Sequence, residues 1–230
     1  MRSIVRTQQV LRAQDVRQGE EALLCVRPPS TTTLVLIRFV DMVFSSVALL
    51  LLLPVFLIIA AAIKFTSRGP VLFIQKRVGR GGREFDFYKF RSMVHDAEQR
   101  RLYLTGLNER NGPVFKMRRD PRITPVGRFL RRYSLDELPQ LLNVLKGDMS
   151  LVGPRPALPQ EVATYTARQR LRLAVTPGLT GLWQISGRAE LSFEESIELD
   201  LSYVQDMSLG LNLRLICLTL PAVLSGKGAY

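Results

Sequence analysis

The chain has 230 residues, 47% of them hydrophobic, and a formal net charge of +12, which suits one sizeable domain or a small domain with membrane-attached segments. His95 is the single histidine, and Cys25 and Cys217 are the only cysteines. Histidine triads and metal sites built on histidine or cysteine are therefore nearly excluded, and acid–base or nucleophilic chemistry falls to carboxylates.

Residues 1–33 are polar and mixed in charge, ending in Pro28-Pro29-Ser30-Thr31-Thr32-Thr33, and read as a poorly ordered extension. The apolar stretch begins too late, and lacks a small-residue cleavage site, for a secretory signal peptide. From Met42 to Ile63 there is no charge, close to the ~20 residues that cross a bilayer. An ordinary transmembrane helix is the default. Pro54 falls mid-run and should kink it. Arg38 precedes the run and Lys64 and Arg68 follow it, so flanking charge hardly favours either end for crossing. A helix that bends at Pro54 and returns to the face it entered is the alternative.

Val71–Ile74 and Phe85–Phe90 read as strands flanking Gly79-Arg80-Gly81-Gly82, a turn better suited to a hairpin than to cradling a phosphate. A helix is expected near His95–Tyr103, then a loop through Gly106, Gly112 and Pro113. Gly127–Arg132 looks helical and strongly basic. Ser134 opens an amphipathic helix through Leu138, Leu141, Leu142 and Leu145, stopped by Gly147, with Pro139 leaving its first residue open.

That segment holds the most informative pair, Asp136–Glu137, among Arg118, Arg119, Arg122, Arg128, Arg131, Arg132 and Arg155. Two carboxylates among so many guanidinium groups suit a site handling phosphates, with a carboxylate as nucleophile or metal ligand. Ser134 and Glu137 equally fit a capping box, a purely structural use. Downstream, Pro154, Pro156 and Pro159 make a stiff loop that presents Arg155. A helix follows over Gln160–Leu173, then a turn at Pro177–Gly181. Trp183 serves either to stack on a ring or to fill the core. Phe193–Gln205 looks helical and acidic. Ser208–Leu224 is apolar but broken by Pro221, and suits a second span or a helix lying on the membrane surface.

In this order the segments resemble the bacterial sugar transferase family, the monotopic phosphoglycosyl transferases acting on polyprenyl phosphate. The matching stretches are Thr66–Val71, Gln75–Gly79, Lys89–Met93, Asp120–Thr124, Ser134–Gln140, Asn143–Ser150, Leu151–Pro156 and Pro177–Arg188. Together they cover the chain from about Arg38 onward. The fold implied is an α-rich α+β one: a re-entrant membrane helix bent at Pro54, amphipathic interfacial helices, and a small cytoplasmic catalytic domain with a short β-hairpin. The segments expected are an extension (1–33), the re-entrant helix (34–65), the catalytic domain (66–207) and a membrane-associated end (208–230). Leu53 replaces the serine usual before the bend, and Asn212 stands where many relatives have aspartate. The chain resembles the compact form, without the additional N-terminal spanning helices of larger relatives.

The resemblance implies a UDP-sugar donor and a polyprenyl (undecaprenyl) phosphate acceptor. Asp136 would attack the sugar-bearing phosphate, release UMP and carry the phosphosugar to the acceptor. Glu137 would assist, and Asp136 would ligate Mg²⁺. Lys89, Arg131, Arg155 and Arg188 would contact phosphates, while Arg118 and Arg119 would be solvated or membrane-facing. The C-terminal pattern resembles members transferring glucose or galactose phosphate into exopolysaccharide. Localisation at the bacterial inner membrane follows, with the site on the cytoplasmic face, contacts to membrane lipids and a homodimer among the admitted assemblies. A non-enzymatic basic membrane adaptor is the rival reading. A nucleic-acid binder fits only the charge, so no nucleic-acid partner is expected.

Overall fold

A computed structural model describes residues 29–104, 117, 120–187 and 191–225. Helix α1 spans Thr31–Leu51 and α2 spans Leu53–Thr66. An antiparallel hairpin of β1 (Leu72–Val78) and β2 (Glu84–Phe90) follows. Next come α3 (Ala97–Leu104), α4 (Pro125–Arg132), a 3₁₀ turn over Leu135–Gln140 and α5 (Leu141–Lys146). Strand β3 (Ser150–Val152) pairs in parallel with β4 (Gly178–Thr180). Between them lie α6 (Pro159–Ala163), α7 (Ala167–Arg170) and a 3₁₀ turn over Leu171–Ala174. Helices α8 (Leu182–Ser186), α9 (Phe193–Asp206) and α10 (Leu209–Ser225) complete the chain. The result is helix-rich with few strands, as expected.

The apolar helix starts at Thr31 rather than after residue 33, because the Ser30 hydroxyl accepts the Thr33 amide at 3.1 Å and caps it. Helix α1 is long and apolar enough to cross a membrane; α2 is shorter. They meet at Leu52, whose backbone (φ −88°, ψ 1°) leaves helical geometry for one residue. Pro54 lies in the first turn of α2, where its missing N–H has no partner to lose. Leu53 at the family's serine position is exposed.

Both halves of the apolar run dock on one folded body. Arg38 donates to the Val144 and Leu145 carbonyls, at 2.5 and 2.7 Å, satisfying the C-terminal end of α5. Asp41 is buried and accepts the Leu151 amide at 2.9 Å. Val40, Ala48, Leu49 and Leu52 then pack on a core that includes Phe85, Phe87, Val144, Met149, Val152 and Tyr203. On the other side of the bend, Ile59 and Ile63 pack with Phe90 and Leu130. The outer faces of both helices keep large apolar side chains in the open, with Phe39, Leu50, Leu57, Ile58 and Phe65 all more than 60% exposed.

Two expectations change. Gln160–Leu173 is not one helix: the chain breaks after Ala163, and Thr166 with Gln169 forms a capping box that opens α7. Strands β3 and β4 were not expected, being only three residues each. Helix α10 packs into the body through Leu215, fully buried, and through Thr219, whose hydroxyl lies 2.7 Å from that of Thr180. At 17 residues it is at the short end of the lengths that cross a bilayer. Asn212 is buried, its carboxamide oxygen 2.9 Å from the Tyr203 hydroxyl.

Candidate active site

The segment carrying Asp136 and Glu137 does not begin an α-helix with Ser134 as its cap. Ser134 adopts left-handed backbone geometry (φ 53°) and its side chain makes no capping bond. Pro139 has no N–H to return to the Leu135 carbonyl and its ring crowds that group, so an α-type turn is blocked. The chain tightens into a 3₁₀ turn instead, and α5 starts only at Leu141. This short turn leaves Asp136 just 5% exposed, with Glu137 beside it.

Strand β2 brings Lys89 to the pair. Asn143, fully buried, bridges α5 to β2 by donating to the Asp86 carbonyl (2.6 Å) and accepting the Tyr88 amide (3.2 Å). Lys89 Nζ then lies 2.6 Å from Glu137 Oε1 and 3.8 Å from Asp136 Oδ2. Arg155, from the proline-rich loop, donates to the same Glu137 oxygen at 3.1 Å. Arg131 extends from α4 and is oriented by donating from Nε to Ser92 Oγ at 2.9 Å. All five side chains line one cavity of about 970 Å³. Its lining also includes apolar side chains, among them Phe44 and Ala48 of α1, Leu52 at the break, and Leu220 and Val223 of α10.

The two carboxylates differ electrostatically. Burial raises Asp136 above the usual aspartate range, opposed by the nearby Lys89 charge. Burial would raise Glu137 as well, but Lys89 and Arg155 outweigh it and hold its carboxyl well below the usual range. Burial lowers Lys89, with Glu137 and Asp136 opposing. Arg155 is raised: burial pulls it down, and Glu137 more than compensates. Burial lowers Arg131, against the pull of Asp136. Glu137 therefore serves as the fixed counter-ion of the cations. Asp136 lines the cavity and accepts no hydrogen bond among the described residues, its Oδ2 being held only by the longer 3.8 Å ion pair to Lys89.

The Asp136 carboxylate, free of hydrogen bonds among the described residues, decides whether magnesium fits. Among the described residues no three acidic, histidine or cysteine side chains cluster as a metal cage. Mg²⁺ commonly takes one or two carboxylates plus substrate phosphates and waters, so Asp136 is a suitable ligand and the donor set fits.

Arg188, Arg118 and Arg119 lie outside the described residues. Trp183 neither fills the core nor stands in the open; it is half-buried in the cavity wall, its indole N–H without a partner among the described residues. Sequence reasoning passed over Asp41, Arg77, Arg172 and Asp200. Asp41 had one legible signal, its position three residues after Arg38 at the edge of the uncharged run.

Residues 32–226 match the family described as "Bacterial sugar transferase". The chain belongs to the bacterial sugar transferase family. It is 48% identical, over 84% of its length, to the galactosyl transferase CpsE of Streptococcus agalactiae, covering 43% of that protein. It is 42% identical to the exopolysaccharide production protein ExoY of Rhizobium meliloti, covering 84% of this chain and 87% of ExoY. An undecaprenyl-phosphate galactose phosphotransferase of Salmonella typhimurium is 44% identical over 70% of the chain and 35% of its own length. This sugar transferase chain thus spans less than half the length of two of these relatives and most of the third.

Proposed function

We propose that the chain transfers hexose 1-phosphate from a UDP-sugar to polyprenyl (undecaprenyl) phosphate, as the first membrane step of exopolysaccharide synthesis, with galactose or glucose as the sugar. The observation that carries this reading is the division of labour between the carboxylates. Glu137 is neutralised by Lys89 and Arg155, while Asp136 lines the cavity among cations and accepts no hydrogen bond among the described residues.

An Asp136 oxygen attacks the sugar-bearing phosphorus in line. The bond from that phosphorus to the bridging oxygen breaks, UMP leaves with the electron pair, and an aspartyl phosphosugar remains. An oxygen of the acceptor phosphate then attacks the same phosphorus, forming the lipid diphosphate sugar and freeing the carboxylate. Phosphoryl transfer depends mainly on positioning and on neutralising charge, which Lys89, Arg131 and Arg155 supply, with Arg188 assigned a phosphate contact as well. Mg²⁺ held by Asp136 would add Lewis-acid neutralisation of the phosphate oxygens. The apolar side chains in the cavity lining suit a lipid acceptor.

Incubation with Mg²⁺, polyprenyl phosphate and a panel of UDP-sugars tests the reading through UMP release. No UMP with any sugar would favour the adaptor. Arg155→Ala is expected to lower turnover roughly 10²-fold, the range seen when one charge-stabilising donor is removed. Arg118→Ala is expected to lower it less than about threefold on the same basis; equal losses would undo that ranking.

The topology proposed is re-entry on the cytoplasmic face of the inner membrane. It is supported by the break at Leu52 beside Pro54 and by the docking of α1 and α2 on one body. Single cysteines at Ser30 and Arg68, in a background lacking Cys25 and Cys217, should react with an impermeant maleimide from the same side of the membrane. Labelling from opposite sides would restore a simple span.

A further inference from the structure

The loop that presents Arg155 has an unusual attachment. Four successive carbonyls are each taken by a different residue, from three elements. Pro154 accepts from the Gly178 amide of β4 at 2.9 Å, and Ala157 from the Val78 amide of β1 at 2.9 Å. Between them, Arg155 accepts from Arg172 Nη2 at 3.0 Å and Pro156 from Arg77 Nη1 at 3.1 Å. The middle two holds are made by arginine side chains. Pro154 and Pro156 have no N–H, so the loop is fixed mainly through its acceptors.

The hold on Arg155 itself is deeply built. Arg172 is 8% exposed and Asp200, its ion-pair partner in α9, 1%. Arg172 Nη1 also donates to the Tyr165 hydroxyl at 2.8 Å. A buried ion pair is often replaceable by apolar side chains without loss of stability. Core stability alone therefore gives little reason to place an arginine there, whereas an oriented guanidinium can grip one chosen carbonyl.

We infer that Arg172, oriented by Asp200 and Tyr165, is a positioning residue for Arg155, fixing that residue's backbone so that its guanidinium reaches the site beside Glu137. The inference rests on the proposed reading of Arg155 as a phosphate contact. Arg172 does not touch the reacting atoms in this scheme; it acts through Arg155 alone.

A double-mutant cycle tests that route. Arg172→Lys keeps the charge but cannot hold Asp200, Tyr165 and the Arg155 carbonyl together. It is expected to lower kcat/KM for the UDP-sugar roughly ten- to a hundredfold, the scale of small misplacements. In an Arg155→Ala background the same change should cost less than about twofold, because the residue it serves is already gone. Equal losses in both backgrounds, or no loss in either, would overturn the inference. Tyr165→Phe, a milder change, should show the same pattern at smaller size and covers the case in which Arg172→Lys fails to fold.

Hydrogen exchange gives a readout independent of turnover. Arg172→Lys should speed amide exchange within residues 153–158 while the β1–β2 hairpin and α9 remain protected. Unchanged exchange in that loop, or acceleration across the whole domain, would sink the positioning role. Should the unmodified protein release no UMP, the functional reading fails while the exchange experiment still decides whether Arg172 holds the loop.

Discussion

Asp136→Asn should lower UMP release on the order of 10³-fold or more, the scale of losing a covalent nucleophile. The substitution keeps the shape of the side chain and removes only its ability to bond phosphorus as a carboxylate. Glu137 is poorly placed to take over. Glu137 has one oxygen held by Lys89 at 2.6 Å and by Arg155 at 3.1 Å, and those contacts keep it ionised and fixed. Folding should survive, since Asp136 accepts no hydrogen bond among the described residues and burial already disfavours its charge. Intact-protein mass measured after mixing with UDP-sugar, without acceptor, should show a phosphosugar adduct on the unmodified chain and none on Asp136→Asn. Undiminished UMP release from the variant would refute the nucleophile assignment. A lowered melting temperature with a proportionate loss of soluble protein would point to a structural aspartate instead.

Legibility in the sequence followed how local each interaction is. The β1–β2 hairpin was readable because strand alternation and a glycine-rich turn lie within about twenty residues of each other, though β1 runs on to Val78. Helix α9 was readable as a helical, acidic stretch, and the Ser192–Glu195 capping box bears out its start. The Ser134–Glu137 spacing misled because a capping box needs an α-turn, and Pro139 blocks one. The β3–β4 pair was invisible: Ser150 and Gly178 are far apart, and their pairing depends on bare backbone. A Cβ on Gly178 would stand 2.0 Å from the Gly153 nitrogen. The site divides the same way. Asp136–Glu137 stood out because adjacent carboxylates among arginines are a local pattern. Arg172 and Asp200 gave no such sign, since 28 residues separate them and each alone resembles a surface charge.

The same closeness of backbone makes Gly127→Ala the most disruptive single-methyl change expected near the site. A Cβ there would stand 1.9 Å from the Ser92 carbonyl oxygen and 2.6 Å from its carbon. Both are main-chain atoms, so no rotamer relieves the clash and α4 must move away from the end of β2. Ser92 also accepts the Thr124 amide at 3.1 Å, next to the Thr124 hydroxyl that caps α4 through Gly127. The displacement therefore strains the cap and draws Arg131, one turn further along, away from Ser92 Oγ. Overpacking of this kind costs about 1–3 kcal/mol and occasionally more, and a backbone contact with no slack belongs at the upper end. The variant should melt several degrees lower in detergent and lose turnover beyond what its folded fraction explains, because Arg131 is no longer held at the cavity. Ser92→Ala removes the Arg131 contact and leaves the backbone fit untouched, so it should reproduce the loss of turnover with little change in melting. If Gly127→Ala melts normally, α4 has room the geometry denies it. If Ser92→Ala turns over normally, the Ser92 hydroxyl is not what aims Arg131.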